Sequence, residues 1–411
     1  MTLTNAHAAP AALLTALAAL AACDASQPMS RSDAAAPRTR DSRLVEDADG
    51  LVTISNGIRI AHSEWRDLGF RWEWSATPLK QGTGRIAFIH PVGDRIAVQS
   101  DDAWTCVVEA STGNTAWQVR NASKLTGFVD DFRVGEYLYS CARPEMFAMD
   151  INSGNLLSRQ PMPVVVTTPP VVSNGHAVFG TPTGEVICHR FGTRAGAPLP
   201  PPLDEGIKAW GYLLDGAIVA APVKVGDLAG IVTEKGEVFF VDILTGSGRG
   251  TSRISGGMDT NPVSDGTRMF VASRDQSVYA FEPDSGTYLW RYRTPDPLTD
   301  QPAYHDGTLY CTVPSEGLIA FDVSQDARDT GRFGAKRWTS PTINHGEVVA
   351  IQNGDPIVWD GRTAYRIDTN NGDVISTVEL AGVKDLLAGE FVNGDLYAVG
   401  DRGQLIKFQS R

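Results

Sequence analysis

The sequence of 411 residues has no long helix-forming pattern of apolar residues, whereas glycine (41) and proline (24) are plentiful. Both residues break helices and favour turns, so the composition argues against a helical protein and indicates an all-β chain with many turns. A basic cluster is also missing, and the formal net charge is −12. A nucleic-acid groove fits this charge poorly, and we expect no nucleic-acid partner.

Cysteines are scarce and widely spaced. None of the five forms a CxxC pair, and they are Cys23, Cys106, Cys141, Cys188 and Cys311. This spacing predicts neither a zinc site nor a dense disulfide framework, while a single disulfide stays open. The last four lie in apolar strand patterns, where buried, unreactive thiols are expected. HExxH, P-loop and nucleophile-elbow motifs are absent as well, so we expect no catalytic residues and no metal site.

The N-terminus contains an Ala/Leu run over residues 8–22, which is too short for a comfortable membrane span. Leu20-Ala21-Ala22-Cys23 resembles the lipobox of bacterial lipoproteins, in which the cysteine receives the lipid. The first seven residues contain no Lys or Arg, which departs from the usual signal peptide. We interpret residues 1–23 as a signal peptide with lipidation at Cys23. An ordinary cleaved signal and an uncleaved segment are the alternatives.

Residues 24–64 are interpreted as a flexible tether, because the polar, small-residue-rich stretch after Cys23 offers little apolar surface to bury. The folded part is then expected over residues 65–411. Export and a lipid anchor would place it outside the cytoplasm, on the periplasmic face of the envelope. Asp24 resembles an inner-membrane sorting signal, and the choice between inner and outer membrane stays open.

A repeated unit organises the rest of the chain. SVYAFEPDSGTYLW at 277–290 and CVVEASTGNTAW at 106–117 both place a glycine after an acidic strand end and a tryptophan four residues later. Eight copies follow from turn glycines spaced 39 to 51 residues apart, which are Gly93, Gly135, Gly175, Gly226, Gly266, Gly307, Gly346 and Gly394. A period of about 40 residues with four short strands indicates a β-propeller.

We therefore predict an all-β, eight-bladed β-propeller of four-stranded blades. The last copy ends without its outermost strand, and Gly69–Trp74 offers a spare apolar strand. An N-terminal strand is thus expected to close the ring and remove an exposed edge. Insertions are expected at 197–206 and 353–361, in surface loops on one rim where partners bind. Tolerated loop length is the alternative explanation for both.

Recurring polar and aromatic residues receive structural roles. The acidic residues before the outer turns recur in most copies, so we expect them to accept hydrogen bonds from turn amides. The recurring tryptophans are expected to pack between blades. Asp368–Asp373 is interpreted as a hairpin turn rather than a calcium loop. His189 is expected to be a strand histidine satisfied by its neighbours.

These units resemble the pyrroloquinoline-quinone (PQQ)-type propeller repeat, in which a proline-containing inner strand precedes the glycine turn. Thr260–Val263, Gln301–Ala303 and Ser340–Thr342 match that inner strand. The resemblance covers roughly residues 68–411. Among proteins with this repeat, the chain is similar to the BamB-like lipoproteins of the outer-membrane β-barrel assembly machinery, which have a lipobox, a tether and eight such blades.

The BamB resemblance implies a non-catalytic, membrane-tethered scaffold that binds protein partners, including an outer-membrane barrel-assembly complex, and no cofactor. A monomeric propeller is expected. One alternative is a quinoprotein-type propeller that binds PQQ and calcium, or another small ligand, on the axis. Its polar candidates on the inner strands are Asp259, Thr260, Asn261, Asp300, Gln301 and Ser340. The other alternative is a carbohydrate- or polymer-binding surface protein, which would use exposed aromatics such as Trp210, Tyr212 and Trp359.

Overall fold

Short strands joined by tight turns make up nearly all of the computed structural model, which describes residues 42–47, 50–201 and 203–411. Its first elements are β1 Ser42–Asp47, β2 Gly50–Ser55, β3 Ile58–Ala61, the helix α1 His62–Leu68 and β4 Phe70–Ala76. Strands β1 to β3 form a three-stranded antiparallel sheet. Strand β4 belongs to one of eight four-stranded sheets, which are the blades.

Blades 1 to 4 are each built from four consecutive antiparallel strands. Blade 1 contains β5 Ile86–Pro91, β6 Arg95–Ser100, β7 Thr105–Glu109 and β8 Thr115–Val119. Blade 2 contains β9 Phe128–Val134, β10 Tyr137–Ala142, β11 Glu145–Asp150 and β12 Leu156–Pro161. Blade 3 contains β13 Val171–Ser173, β14 His176–Gly180, β15 Glu185–Arg190 and β16 Ile207–Leu213. Blade 4 contains β17 Val223–Val225, β18 Leu228–Val232, β19 Glu237–Asp242 and β20 Gly248–Arg253.

Blades 5 to 7 repeat this order, and blade 8 departs from it. Blade 5 contains β21 Val263–Ser264, β22 Met269–Ser273, β23 Ser277–Phe281 and β24 Tyr288–Arg293. Blade 6 contains β25 Ala303–His305, β26 Thr308–Val313, β27 Gly317–Asp322, the helix α2 Gln325–Asp329 and β28 Ala335–Ser340. Blade 7 contains β29 Glu347–Gln352, β30 Asp355–Trp359, β31 Thr363–Ile367 and β32 Val374–Glu379. Blade 8 contains β33 Val383–Ala388, β34 Leu396–Gly400, β35 Leu405–Ser410 and, as its outer strand, β4.

The predicted eight-bladed propeller, closed by an N-terminal strand, is confirmed. Strand β4 pairs antiparallel with β35, with Trp74 opposite Lys407 and Phe70 opposite Ser410. The buried Lys407 ammonium lies 2.8 Å from a Glu73 carboxylate oxygen on β4 and 2.9 Å from an Asp395 carboxylate oxygen. The two ends of the chain are therefore joined by a strand ladder and by a buried charge cluster.

The core is distributed around the ring rather than concentrated at its centre. Among the described residues, eight buried apolar clusters occur, and each joins two neighbouring blades. Between blades 5 and 6, for example, Phe270 and Phe321 are fully buried in one cluster. Strands covered on both sides need apolar residues at consecutive positions, which explains why β27 reads GLIAFD instead of alternating.

Tryptophans of the outer strands pack on the outer turns of the next blade, and so lie between blades as predicted. Trp117 of blade 1 donates its indole N–H to the Ile151 carbonyl of blade 2 at 2.8 Å. The same ring covers Gly154, where an added Cβ would lie 2.6 Å from Trp117 Cδ2. Equivalent indole hydrogen bonds are donated by Trp74 to Ala110, by Trp210 to Ile243 and by Trp338 to Thr369.

The recurring aspartates accept hydrogen bonds from amides of the outer turns, as predicted, whereas the glutamates at 109 and 282 accept from side-chain hydroxyls. Asp242 Oδ1 accepts from the amide of Thr245 at 2.8 Å, and Asp368 Oδ1 from that of Asn370 at 2.8 Å. Asp368–Asp373 therefore includes the hairpin turn that the sequence predicted. The turn hydrogen bonds, led by that from the Thr245 amide, lower the pKa of Asp242. These carboxylates stabilise turns.

Blade 7 corrects one alignment of the repeat. Its inner hairpin turns at Asn353 and Gly354, whose φ angles are +52° and +89°, and not at Gly346. Residues 353–361 are therefore not an inserted surface loop, because most of them form that turn and the buried strand β30. Blade 7 has the ordinary four strands, and residues 353–361 are not an insertion on the rim.

The tether prediction over 24–64 is wrong at its end. Residues 50–55 and 58–61 are strands, and Ile58 and Ile60 are buried with Trp65 of α1 against blades 7 and 8. The sequence here alternates apolar and polar residues, so this stretch has a face to bury. Residues 24–41 and 48–49 of the predicted tether, and the signal segment with Cys23, lie outside the described residues.

Candidate functional site

The two faces of the ring carry different connections, because neighbouring strands run antiparallel. We call face A the side with the turns between the first and second strands and between the third and fourth strands of each blade. Face B carries the middle turns and the connections between blades. The axis of the ring is lined by the first strand of each blade, so a ligand on the axis would contact first-strand residues.

An axial cavity of about 510 Å³ lies against the first strands of blades 4 to 8. Most of the residues that line it have apolar side chains, including Val263, Leu387 and Phe391, but polar atoms form about half of its surface. Its polar members are Ser264, Gln301, Tyr304 and Glu347. This volume lies within the range of small-molecule sites.

Two of the predicted axis residues contact each other. Asn261 Nδ2 donates to Gln301 Oε1 at 3.2 Å, and Asn261 Oδ1 accepts from the Ala221 amide at 2.7 Å. These positions are 40 residues apart and occupy the same place in three successive blades. Gln301 lines the cavity, so the chain of hydrogen bonds fixes one wall of it.

The other predicted residues are divided between the channel and the rim. Asp300 precedes Gln301 and is half-buried, and burial raises the pKa of its carboxyl group. Asp259 instead forms an ion pair with Arg274 at 3.3 Å on face B. Thr260 lies between Asp259 and Asn261, and its hydroxyl is buried.

Ser340 does not reach the axis, which corrects the sequence prediction. It is the buried last residue of β28, the outermost strand of blade 6, and pairs with Leu318. The error follows from the misplaced turn of blade 7, since a turn at Gly346 puts the inner strand before that glycine. With the turn at Asn353-Gly354, the inner strand is β29 and its first residue is Glu347.

Glu347 is the channel residue that the sequence analysis missed. Its side chain is accessible from the cavity, and burial followed by repulsion from Asp300 and Asp385 raises the pKa of its carboxyl group. The signal that would have found it is Asn353-Gly354 between two apolar runs, which is a strong short-range hairpin pattern.

The electrostatics of the cavity bear on the PQQ alternative. PQQ carries several carboxylates, and the acidic side of this wall would repel them unless a cation intervened. Among the described residues, no group of three or more His, Cys, Asp or Glu side chains is placed to hold a metal ion.

A loop of blade 8, residues 389–395, covers part of the channel end on face A. It reaches the inner strand of blade 7, where the Ile351 amide donates to the Phe391 carbonyl at 2.7 Å and the Asn393 amide to the Ile351 carbonyl at 2.8 Å. The Phe391 ring lies 6.5 Å from the His305 ring of blade 6. Phe391 therefore forms part of the cavity wall at this end.

A second polar cluster lies on the inner strands of blades 1 and 2. His90 Nδ1 is 3.0 Å from Asp130 Oδ1. Burial lowers the pKa of His90, but the hydrogen bond and charge of Asp130 outweigh it and raise the pKa above its usual value. The adjacent Asp131 is fully buried opposite Ser140, and this burial raises its pKa to about 7.

The insertion at 197–206 is confirmed as part of a long loop on face A, residues 191–206 between β15 and β16. It is held against blade 2, since Tyr139 Oη donates to the Gly196 carbonyl at 2.7 Å and Ser158 Oγ to the Asp204 carbonyl at 2.6 Å. Phe191 is buried against Tyr139, with ring centroids 4.5 Å apart. His189 Nε2 lies 3.0 Å from Gln160 Oε1, but its buried Nδ1 has no hydrogen-bond partner, so the predicted satisfied strand histidine is found at one ring nitrogen only. Burial lowers the pKa of His189 to about 4.

The aromatics proposed for carbohydrate binding are not loop residues. Trp359 is buried in β30. Trp210 and Tyr212 lie on β16, where both donate to carbonyls of the next blade, at 2.9 and 2.5 Å. The Trp210 and Tyr212 rings hold blades 3 and 4 together, although Tyr212 keeps 37% of its surface exposed. The four described cysteines are buried and free of disulfides, and burial raises the pKa of each thiol.

The family of the chain is settled by a sequence-family model described as "Outer membrane protein assembly factor BamB", which matches residues 101–256 and 234–411. The matches together span most of the propeller. The chain belongs to the BamB family.

No curated protein has a significant sequence match to this BamB-family chain. None of the helices in the described ranges is long and apolar enough to cross a bilayer.

Solved structures share the fold at low identity. BamB from Moraxella catarrhalis is 16% identical with a TM-score of 0.60, and the match covers 83% of this chain and 98% of that one. The computationally designed Ika8 protein is 12% identical with a TM-score of 0.62, covering 81% and 98%. Sqt1 from Saccharomyces cerevisiae is 10% identical with a TM-score of 0.62, covering 82% and 99%. Propellers of different origin thus share this architecture, and the fold alone does not assign the partner.

Proposed function

We propose that this BamB-family protein is a non-catalytic scaffold of the cell envelope that docks a protein of the outer-membrane barrel-assembly complex. Membership of the family supports the partner class. The observation that carries the docking surface is the loop 191–206. It is held by hydrogen bonds and a buried aromatic, yet leaves Leu203 exposed over 42% of its surface. An ordered loop that presents an apolar side chain loses little entropy when it binds a partner.

The docking surface extends to blade 2. Leu156 and Leu157 begin β12 on face A, and each is 47% exposed. The hydrogen bond from Ser158 to Asp204 joins this strand to the loop that carries Leu203. We call Leu156, Leu157 and Leu203 the face A patch. Exposed apolar side chains grouped in this way are characteristic of interaction sites.

Site-specific photocrosslinking in cells tests the proposal. Benzoylphenylalanine at Leu203 is expected to crosslink to a barrel-assembly protein, whereas the same residue at Leu125, which is 95% exposed on face B, is the matched control. Leu203→Asp should weaken recovery of the complex by about tenfold, as expected for a contact worth 1 to 2 kcal/mol. Crosslinks from Leu125 alone, or unchanged recovery with Leu203→Asp, would contradict the proposed surface.

We further propose that the scaffold is anchored by a lipid on Cys23 and faces the periplasm. Cys23→Ser should then move the protein from the membrane fraction to the soluble fraction, because one or more acyl chains supply the membrane affinity. Fractionation with a labelled fatty acid measures both effects. An unlabelled wild-type protein would reject the anchor while leaving the face A patch open to its own test.

A further inference from the structure

We propose that the axial cavity binds a small organic cation, an ammonium group carried on an apolar body. The inference is independent of the docking surface on face A. It is carried by the shape of the cavity, by the chemistry of its wall and by the charges at one side.

The wall is suited to an apolar body. Val263, Val349 and Leu387 line the cavity from three different blades, and Phe391 closes part of its end on face A. A volume of about 510 Å³ accommodates a ring with a short side chain. The inner strands that carry this wall are fixed by blade-to-blade packing, so the cavity does not have to be opened by the ligand.

The charges select a cation. Glu347 lines the cavity, and Asp300 and Asp385 are close enough to repel it. No Lys, Arg or His is found among the described residues that line the cavity. Lys384 lies nearby but is engaged, with its Nζ 3.0 Å from the Ala87 carbonyl and 3.4 Å from Asp385. The three carboxylates repel one another, and an ammonium group beside Glu347 would offset this repulsion by attracting them.

The test uses three probes with one body and different charge: 2-phenylethylammonium, 2-phenylethanol and 3-phenylpropanoate. Each is titrated into the full-length protein at neutral pH by calorimetry, with thermal melting as a second readout. The cation is expected to bind saturably, the alcohol at least about tenfold more weakly, since a hydrogen bond to a charged group contributes 1.5 to 3 kcal/mol. The carboxylate is expected not to bind.

Glu347→Gln should weaken the cation by about tenfold while the melting temperature stays equal or rises, because a repelled carboxylate is removed. Glu205→Gln, on the exposed face A loop, is the matched control and should bind as wild type. If Glu347→Gln does not fold, Asp385→Asn provides the same test with a smaller loss. The proposal is overturned if the cation does not saturate, if the carboxylate binds equally well, or if the folded variant retains wild-type affinity.

Discussion

Asp131 shows how one residue can depart from the repeat at a cost to stability. It stands on β9 opposite Ser140, at the place where other blades have the proline that precedes the inner strand, such as Pro262 and Pro302. The proline side chain is apolar and needs no hydrogen-bonding partner. A carboxyl group at the same place loses its hydration when it is buried, which costs free energy. Blade 2 therefore carries a carboxyl group in an apolar setting.

The contribution of Asp131 to the stability is predicted to fall as the pH rises from about 4 to 7, whereas that of His189, with its pKa lowered to about 4, has the opposite sign. The pKa of Asp131 is about 7 in the folded protein and near 3.9 in the unfolded chain, so the folded state holds the proton over that interval. Because Asp131 binds fewer protons in the unfolded state there, its contribution to the free energy of unfolding decreases with pH. The total effect is about 4 kcal/mol at most, from three pKa units.

Asp131→Asn removes this titration and should raise the melting temperature at pH 7.5 but leave it nearly unchanged at pH 4.5. Melting curves of wild type and variant across this range measure the difference. Asp259→Asn, on the exposed rim, serves as the control and should follow the wild-type curve. Parallel curves for wild type and Asp131→Asn would show that Asp131 does not titrate in this way.

The role of a single residue was predictable from the sequence where that residue recurs in most copies of the repeat. The acidic turn residues and the interblade tryptophans recur with fixed spacing, so their structural roles could be inferred from position alone. Glu347, Phe391 and Asp131 occur once each, at places where a copy departs from its neighbours. Their roles depend on which blades flank them, and a sequence read one copy at a time does not contain that information.

At the scale of the element, the outer turn of each such blade packs against a tryptophan on the outer strand of the preceding blade. The turn glycine has a positive φ, and the ring of the tryptophan lies directly over it, as with Gly154 under Trp117. Each blade also has a register shift between its third and fourth strands, for example at Ala280 and Phe281. Such bulges increase the local twist.

Gly154→Ala is predicted to destabilise the protein by about 1 to 3 kcal/mol more than Gly266→Ala, because its Cβ would overlap Trp117. Both glycines have φ in the left-handed region, +73° and +88°, but an added Cβ at Gly266 meets no atom within 4 Å. Comparing the two variants therefore separates the effect of the overlap with Trp117 from the effect of backbone strain. Denaturant unfolding of both variants measures it, and equal losses would mean that the tryptophan moves aside freely.

Elements were predictable where their turn chemistry is explicit. The hairpin glycines of blades 1 to 6 mark their inner turns correctly. In blade 7, Gly346 took precedence over Asn353-Gly354 because it kept the spacing near 40 residues. The helix α1 and strands β2 and β3 were missed because they precede the first copy, and the repeat gives no expectation for them.

At the scale of the molecule, ring closure is predicted to determine stability. Deleting residues 65–78 removes β4 with half of the salt-bridge cluster at Lys407, and leaves blade 8 with an open edge. The truncated chain should aggregate or melt much earlier than wild type. Deleting residues 1–47 is the control and should change the melting temperature little, since β4 is retained. An unchanged curve for the first deletion would contradict the closure.

The pairing of β4 with β35 also sets the order of events as the chain is made. Arg71 hydrogen-bonds to Gln409, more than three hundred residues later in the sequence. Loop closure over that distance is slow, and local hairpins form long before it. Seven blades can therefore be complete before β4 pairs with β35. A molecule that has not yet made this pairing holds seven finished blades and an unmatched opening strand, and it is then most exposed to proteases.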